Sequence, residues 1–141
     1  QMPTRWIDQG AEEAIVVVEV PNRYLAGITE VALKNHFADK TNWRKMLTNT
    51  YDAVDLVQEK AKVQAWLPDE VREFYNLDKN EIIAMHYPVA AYPAKVNSLN
   101  LDKTPFYQGQ LIGVKGQYLL FQDGTVFNVR SYEGYVVQIA I

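Results

Sequence analysis

Glu30 is the acidic group on the apolar helical body that opens the stretch Asn22 to Trp43 (NRYLAGITEVALKNHFADKTNW), ahead of Asp39 near its end. Asn22 offers a capping oxygen after Pro21, and Tyr24, Leu25, Ile28, Val31, Ala32, Leu33 and Phe37 cover most of the helix circumference. The pattern predicts a long helix buried on more than one side. Arg23, Gly27, Glu30 and Lys34 share the remaining stripe, since residues three and four apart lie above one another. A carboxylate shown this way is either a catalytic group or half of an ordinary pair with Lys34, worth about 0.3 to 0.5 kcal/mol. Spacing alone favours the pair.

A second group is basic: Lys40, Arg44 and Lys45, with Trp43 among them, the composition either of a local nucleic-acid contact or of a solvated helix end. His36 and His86 sit in apolar contexts where histidines are usually satisfied core or boundary residues. Asp123 precedes Gly124 and reads as a turn former, and Asp69 and Glu70 follow Pro68 as partners of a helix dipole. No phosphate-binding glycine loop, HExxH, EF-hand or GxSxG motif occurs.

The elements that position these groups change character along the chain. Met2 to Gly10 reads as a short helix stopped by glycine, and Ile15 to Val20 (IVVVEV) as an interior strand, β-branched and apolar on both faces apart from Glu19. That strand needs partners, so an exposed sheet edge is expected to pair with the C-terminal sheet or another chain. Tyr51 to Trp66 reads as a surface helix with Val54, Val57, Ala61 and Ala65 on its apolar face, and Pro68 to Tyr75 as a second, shorter one.

After Glu81 strands and turns take over. Ile82 to Tyr92 is limited by Pro88 to an edge or broken strand. Four segments, Gln110 to Val114, Gln117 to Gln122, Thr125 to Arg130 and Tyr135 to Ile141, are separated by Lys-Gly, Asp-Gly and Glu-Gly turns. They predict a small antiparallel sheet or half-open barrel, and Asn97 to Thr104 reads as the loosest piece.

Of the residues, 48% are hydrophobic and 22% charged, which describes a soluble globular chain with one real core and room for a small second one. With no cysteine, disulfides and thiolate metal sites are excluded within the segment, and the start at Gln1 suggests a fragment or processed product. Neither a spanning segment nor a targeting peptide is evident, so a cytoplasmic setting away from membrane is expected. The net charge of −3 is uneven. Residues 1–50 carry six basic and six acidic groups, residues 51–82 four and eight, and residues 83–141 four and three, which argues against a broad basic surface.

PTRWIDQGA (Pro3 to Ala11), RYLAGITEVALKNHFADKTNWRKML (Arg23 to Leu47) and GVKGQYLLFQDGTVFNVRSYEGYVV (Gly113 to Val137) resemble an uncharacterised bacterial family, a domain of unknown function. The resemblance implies a longer protein of which this chain is the C-terminal half. A cysteine-rich, zinc-type segment and a hairpin like YLANSSGLKVGITR would then precede it.

More distantly, an arginine-bearing helix, a strand and a helix with Glu30, Leu33 and Phe37 in an ExxL-then-F pattern, followed by Trp43, is similar to the GIY-YIG nuclease module. This second resemblance implies that Arg5 contacts phosphate and that Glu30 holds Mg²⁺ or Mn²⁺. A guanidinium and a metal-holding carboxylate are what phosphodiester hydrolysis requires of such positions. Lys34 stands where that branch commonly carries histidine, and the tyrosine-bearing hairpin is outside this sequence.

The expected architecture is therefore α+β: residues 1–50 a partial GIY-YIG-like module, 51–81 a helical connector and 82–141 an antiparallel β module. The expected activity is nucleic-acid binding, or metal-dependent phosphodiester cleavage by the full-length parent, with Arg5 and Glu30 catalytic and this chain inactive alone. Lys34, Lys40, Trp43, Arg44 and Lys45 are the expected nucleic-acid contacts. The alternative is a non-catalytic binding or assembly module that keeps the scaffold without the chemistry. Candidate partners are nucleic acid and, through a sheet edge, a second copy of the chain.

Overall fold

The computed structural model describes residues 2–38 and 40–141. The fold is α+β: among the described residues there are five α-helices, a two-stranded sheet and a four-stranded sheet that does not close into a barrel. The chain forms two compact units that interleave along the sequence. One comprises Gln1–Ala11, Asn42–Tyr51 and His86–Ile141; the other comprises Glu12–Thr41 and Asp52–Met85.

The first unit opens with α1 (Met2–Asp8), which the positive φ of Gly10 (71°) turns back as expected. Its next element is α3 (Trp43–Thr48), capped by Asn42 through a 3.2 Å bond from the Lys45 N–H and closed by Asn49 in the left-handed region. The sheet has the order β3 (Asn97–Ser98), β6 (Thr125–Asn128), β5 (Tyr118–Phe121), β4 (Leu111–Lys115). Both hairpin turns form where the glycine dipeptides stand. Gly116 and Gly124 take φ of 59° and 85°, values that cost a β-carbon-bearing residue energy and glycine little.

Alternation along the strands buries Tyr118, Leu120 and Val126, which close a core with Met46, Leu47 and Val96. Two expectations fail here. Asn97–Ser98, read as loose, is the parallel strand β3, tied by the Asn97 N–H to the Gly124 carbonyl at 2.9 Å. Tyr135 to Ile141, read as a strand, forms none: after the turn at Gly134 the segment is exposed, Val136 and Ile139 included, and no backbone ladder compensates an extended pairing.

The second unit holds β1 (Glu13–Ala14), α2 (Arg23–Leu33), α4 (Leu56–Gln64), α5 (Asp69–Arg72) and β2 (Ile83–Ala84), with β1 and β2 antiparallel. Its core is Val63, Leu67 and Val71, against which Val17, Val18, Val20, Leu25, Leu33, Trp66 and Tyr75 pack. The IVVVEV run is thus half-buried core lining and not an interior strand. Its pairing is an isolated bridge from Val18 to Tyr75, with the Glu19 N–H bonded to the Phe74 carbonyl and the Asn76 N–H to that of Val17.

α2 begins at its Asn22 cap as expected, with the Leu25 N–H at 2.9 Å from the Asn22 side chain, but ends at Leu33. The Leu33 carbonyl accepts from both His36 and Phe37, and these two rings leave the helix to pack on Trp66. The His36 ring lies parallel to the indole at 4.0 Å, the Phe37 ring edge-on at 5.9 Å. Nor is α2 buried on several sides, since Tyr24 is 72% exposed and Val31 71%. In α4 the buried face runs through Lys60 and Val63, while Val57, Ala61 and Ala65 are exposed, so the face chosen from hydropathy is the wrong one. Lys60 disguised it: its stem is buried, its Nζ donates to the Lys79 carbonyl at 2.6 Å, and the Tyr75 ring lies 5.5 Å away.

Candidate nucleic-acid interface

Met46 and Leu47 anchor α3 in the first unit's core, which leaves Arg44 and Lys45 exposed. Trp43 is half-buried, its ring nearly parallel to Tyr118 at 5.9 Å, and the Arg44 guanidinium sits 4.2 Å from the indole centroid. Tyr118 is fixed in turn by the Asn128 amide, which donates to its hydroxyl at 3.3 Å. Arg44 is therefore held over an aromatic plane that is itself held by the sheet, at low cost in side-chain freedom. Asn42 to Tyr51 contains no acidic residue.

The same unit carries Arg5, exposed on α1. Among the described residues it makes no ion pair with Asp8 and no cation–π contact with Trp6. Exposed Lys95, Lys103 and Arg130 come from the strand-and-turn region, where isolated charges gave no motif. By sequence this unit holds seven Lys and Arg against four Asp and Glu, net +3, and the other holds seven against thirteen, net −6. One cation of the basic unit does not reach the surface. Lys115 is fully buried, donating at 3.3 Å to both the Met46 carbonyl and the Tyr92 hydroxyl, with the Tyr92, Tyr87 and Tyr51 rings 4.9, 5.4 and 5.9 Å from its ammonium. Six exposed cations then face four exposed acids.

Glu30, Lys34 and Lys40 belong to the acidic unit, so the fold does not collect the expected contacts in one unit. Glu30 and Lys34 are both exposed, and among the described residues no ion pair joins them. Nor is there, among those residues, a group of three or more His, Asp or Glu side chains able to hold a metal ion. Glu30 offers one carboxylate, compatible only with a Mg²⁺-type ion whose remaining positions are filled by water and substrate phosphate. His36 is a ring stacked on Trp66, and His86 is exposed.

The perturbed acids lie elsewhere and have structural causes. The Thr125 N–H at 2.8 Å and the Tyr107 hydroxyl at 3.0 Å bond the Asp123 carboxylate and hold its pKa below the usual 3.8, as a turn former's. Glu19 is held below its usual value chiefly by Lys79 and then by Asn76, each donating at 2.6 Å. Burial pushes Lys60 down, partly opposed by Asp78. No helix among the described residues is long and apolar enough to cross a membrane.

A family model described as "Protein of unknown function (DUF2797)" matches residues 1–137. No curated protein and no solved structure matches the chain.

Proposed function

The chain belongs to the DUF2797 family, and we propose that it binds nucleic acid through its basic unit, with Arg44 and Lys45 of α3 as the leading phosphate contacts and Arg5, Lys95, Lys103 and Arg130 as further ones. The observation that carries this reading is the segregation of charge. A chain of net −3 is divided into a unit of net +3 and one of net −6, and in the basic one an acid-free segment presents two exposed cations beside a stacked tryptophan. Phosphate binding by such cations releases counterions, so it has a defined salt signature. Fluorescence anisotropy of a labelled oligonucleotide between about 50 and 200 mM salt should give a linear fall of log affinity with log salt. Reversing Arg44 and Lys45 to glutamate should weaken binding and lower that slope by about two contacts' worth. Salt-independent binding, or none, would remove the proposal.

A second reading, metal-dependent phosphodiester cleavage by the full-length parent, is favoured by one observation: Arg5 and Glu30 are exposed and lack the local ion pairs that would make them ordinary surface charges. In it Arg5 would contact a phosphate oxygen and Glu30 would hold Mg²⁺ or Mn²⁺, which would supply positive charge against that developing on the phosphoryl and leaving oxygens. Mn²⁺ binding and nuclease activity of the full-length protein, both lost in Glu30→Gln with the fold intact, would support it. Retention of both in Glu30→Gln would remove Glu30 from the site, and absence of both from the unaltered full-length protein would leave binding as the function and the non-catalytic module as the better description.

A further inference from the structure

Within the basic unit, the turn between β4 and β5 and the start of the 3-10 helix Val129–Tyr132 enclose an open cleft of about 350 Å³. Asp8, Gln117, Tyr118, Leu119, Val129 and Arg130 line it. Resting on the nucleic-acid reading above, the geometry points to this cleft as the seat of one unpaired nucleotide, which makes single-stranded nucleic acid the preferred substrate class.

The cleft's construction supports that assignment in three ways. Its walls are fixed: the Gln117 N–H donates to the Asp8 carbonyl at 3.2 Å, the Val129 N–H donates to the Gln117 carbonyl at 3.0 Å, and a β-carbon at Gly116 would stand 2.5 Å from that Asp8 oxygen. Turn, α1 and 3-10 helix are thus bound by their main chains, and the space between them is preformed. Its lining is divided, with Leu119 and the half-exposed Val129 offering apolar surface to a base plane while Arg130, itself exposed, supplies a cation for the attached phosphate. Asp8 repels a second phosphate and, with the Gln117 amide, accepts from base N–H groups, so the nucleotide has one favoured orientation. The volume lies near the lower end of small-ligand clefts, roughly 300 to 1,000 Å³. A base can enter such a concavity only when unstacked and unpaired, and in a duplex that exposure must first be paid for.

The test uses the full chain with three probes: a labelled single-stranded oligonucleotide, the same strand annealed to its complement, and a free nucleoside monophosphate. At equal salt the single strand should bind about tenfold or more tightly than the duplex. Val129→Trp, which fills the cleft from a half-exposed position, should bring that ratio to about one, and Arg130→Gln should weaken single-strand binding and lower its salt slope by about one contact. The monophosphate at high concentration should compete with the single strand, and less so against Val129→Trp; no competition, or competition that the variant leaves unchanged, counts against a nucleotide seat. The inference is overturned if duplex binds as tightly as single strand, or if both variants leave the ratio unchanged. The first of those outcomes leaves the binding function standing, while failure of every probe to bind removes that function as well.

Discussion

Replacing Gly124 by valine separates two costs that the structure assigns to one residue. Gly124 has φ of +85°, where a β-branched side chain is strained by about 1 to 3 kcal/mol. It also has no room: an added β-carbon would stand 2.5 Å from the Lys95 carbonyl oxygen, a main-chain atom that cannot swing away. Relieving that contact means displacing the join of β3 to β6, where the Gly124 carbonyl accepts from Asn97 and its own N–H donates to Phe121 at 3.0 Å. Overpacking of this kind costs a further 1 to 3 kcal/mol or so.

Gly134 is the internal control, because its φ of +87° is the same while nothing lies within 4 Å of the position its β-carbon would take. Gly134→Val should therefore cost the conformational part alone, and Gly124→Val about 1 to 3 kcal/mol more. Urea unfolding followed by tryptophan fluorescence in a Trp66→Phe background reads the basic unit, which holds both remaining indoles, Trp6 and Trp43, the latter stacked on Tyr118. With an m value near 2 kcal/mol per M, the two midpoints should differ by roughly 0.5 to 1.5 M. Equal midpoints would refute the argument that the Lys95 contact, and not φ alone, reserves position 124 for glycine.

Other outcomes follow from the titrating groups. Because hydrogen bonds hold the Glu19 pKa below 4.5, its contribution is present above that value and lost as pH falls through the lowered folded pKa; Glu19→Gln should remove that part of the acid dependence of unfolding. For Lys60 the folded pKa is below 10.5, so the unfolded chain binds more protons between the two values and stability should rise with pH across that window. Lys60→Met should flatten this rise, and a rise that persists would locate the titration elsewhere. Removing the indole that holds the Arg44 guanidinium in place, by Trp43→Leu, should weaken oligonucleotide binding while leaving Lys45's share of the salt slope intact.

What the sequence made legible was local chemistry. The turns at Gly116 and Gly124 follow from a φ requirement, the cap at Asn22 from a side-chain oxygen near free N–H groups, and the β4–β5–β6 order from alternation between short turns. What it concealed was decided by partners distant in the chain. Ile15 to Val20 has every property of an interior strand except a ladder to join, and it lines a core instead. Lys60 and Lys115 are charged by type and buried by circumstance, each satisfied by a carbonyl that no window of sequence indicates. The site shows the same limit. Arg44 and Lys45 were recognisable as a cluster, but that they share a unit with Arg5 and Arg130, and that Glu30, Lys34 and Lys40 fall in the other, follows from how the two units interleave.

That division provides the most direct test of nucleic-acid binding by the basic unit. Oligonucleotide affinity at about 100 mM salt should be compared for the unaltered chain, for Arg44→Glu with Lys45→Glu, and for Lys34→Glu with Lys40→Glu, since both double variants change the net charge by the same amount on exposed residues. Binding that falls tenfold or more in the first pair and by less than about threefold in the second is the predicted result, because contact ions dominate over net charge at that screening. Equal losses in both pairs, or a larger loss in the second, would contradict it.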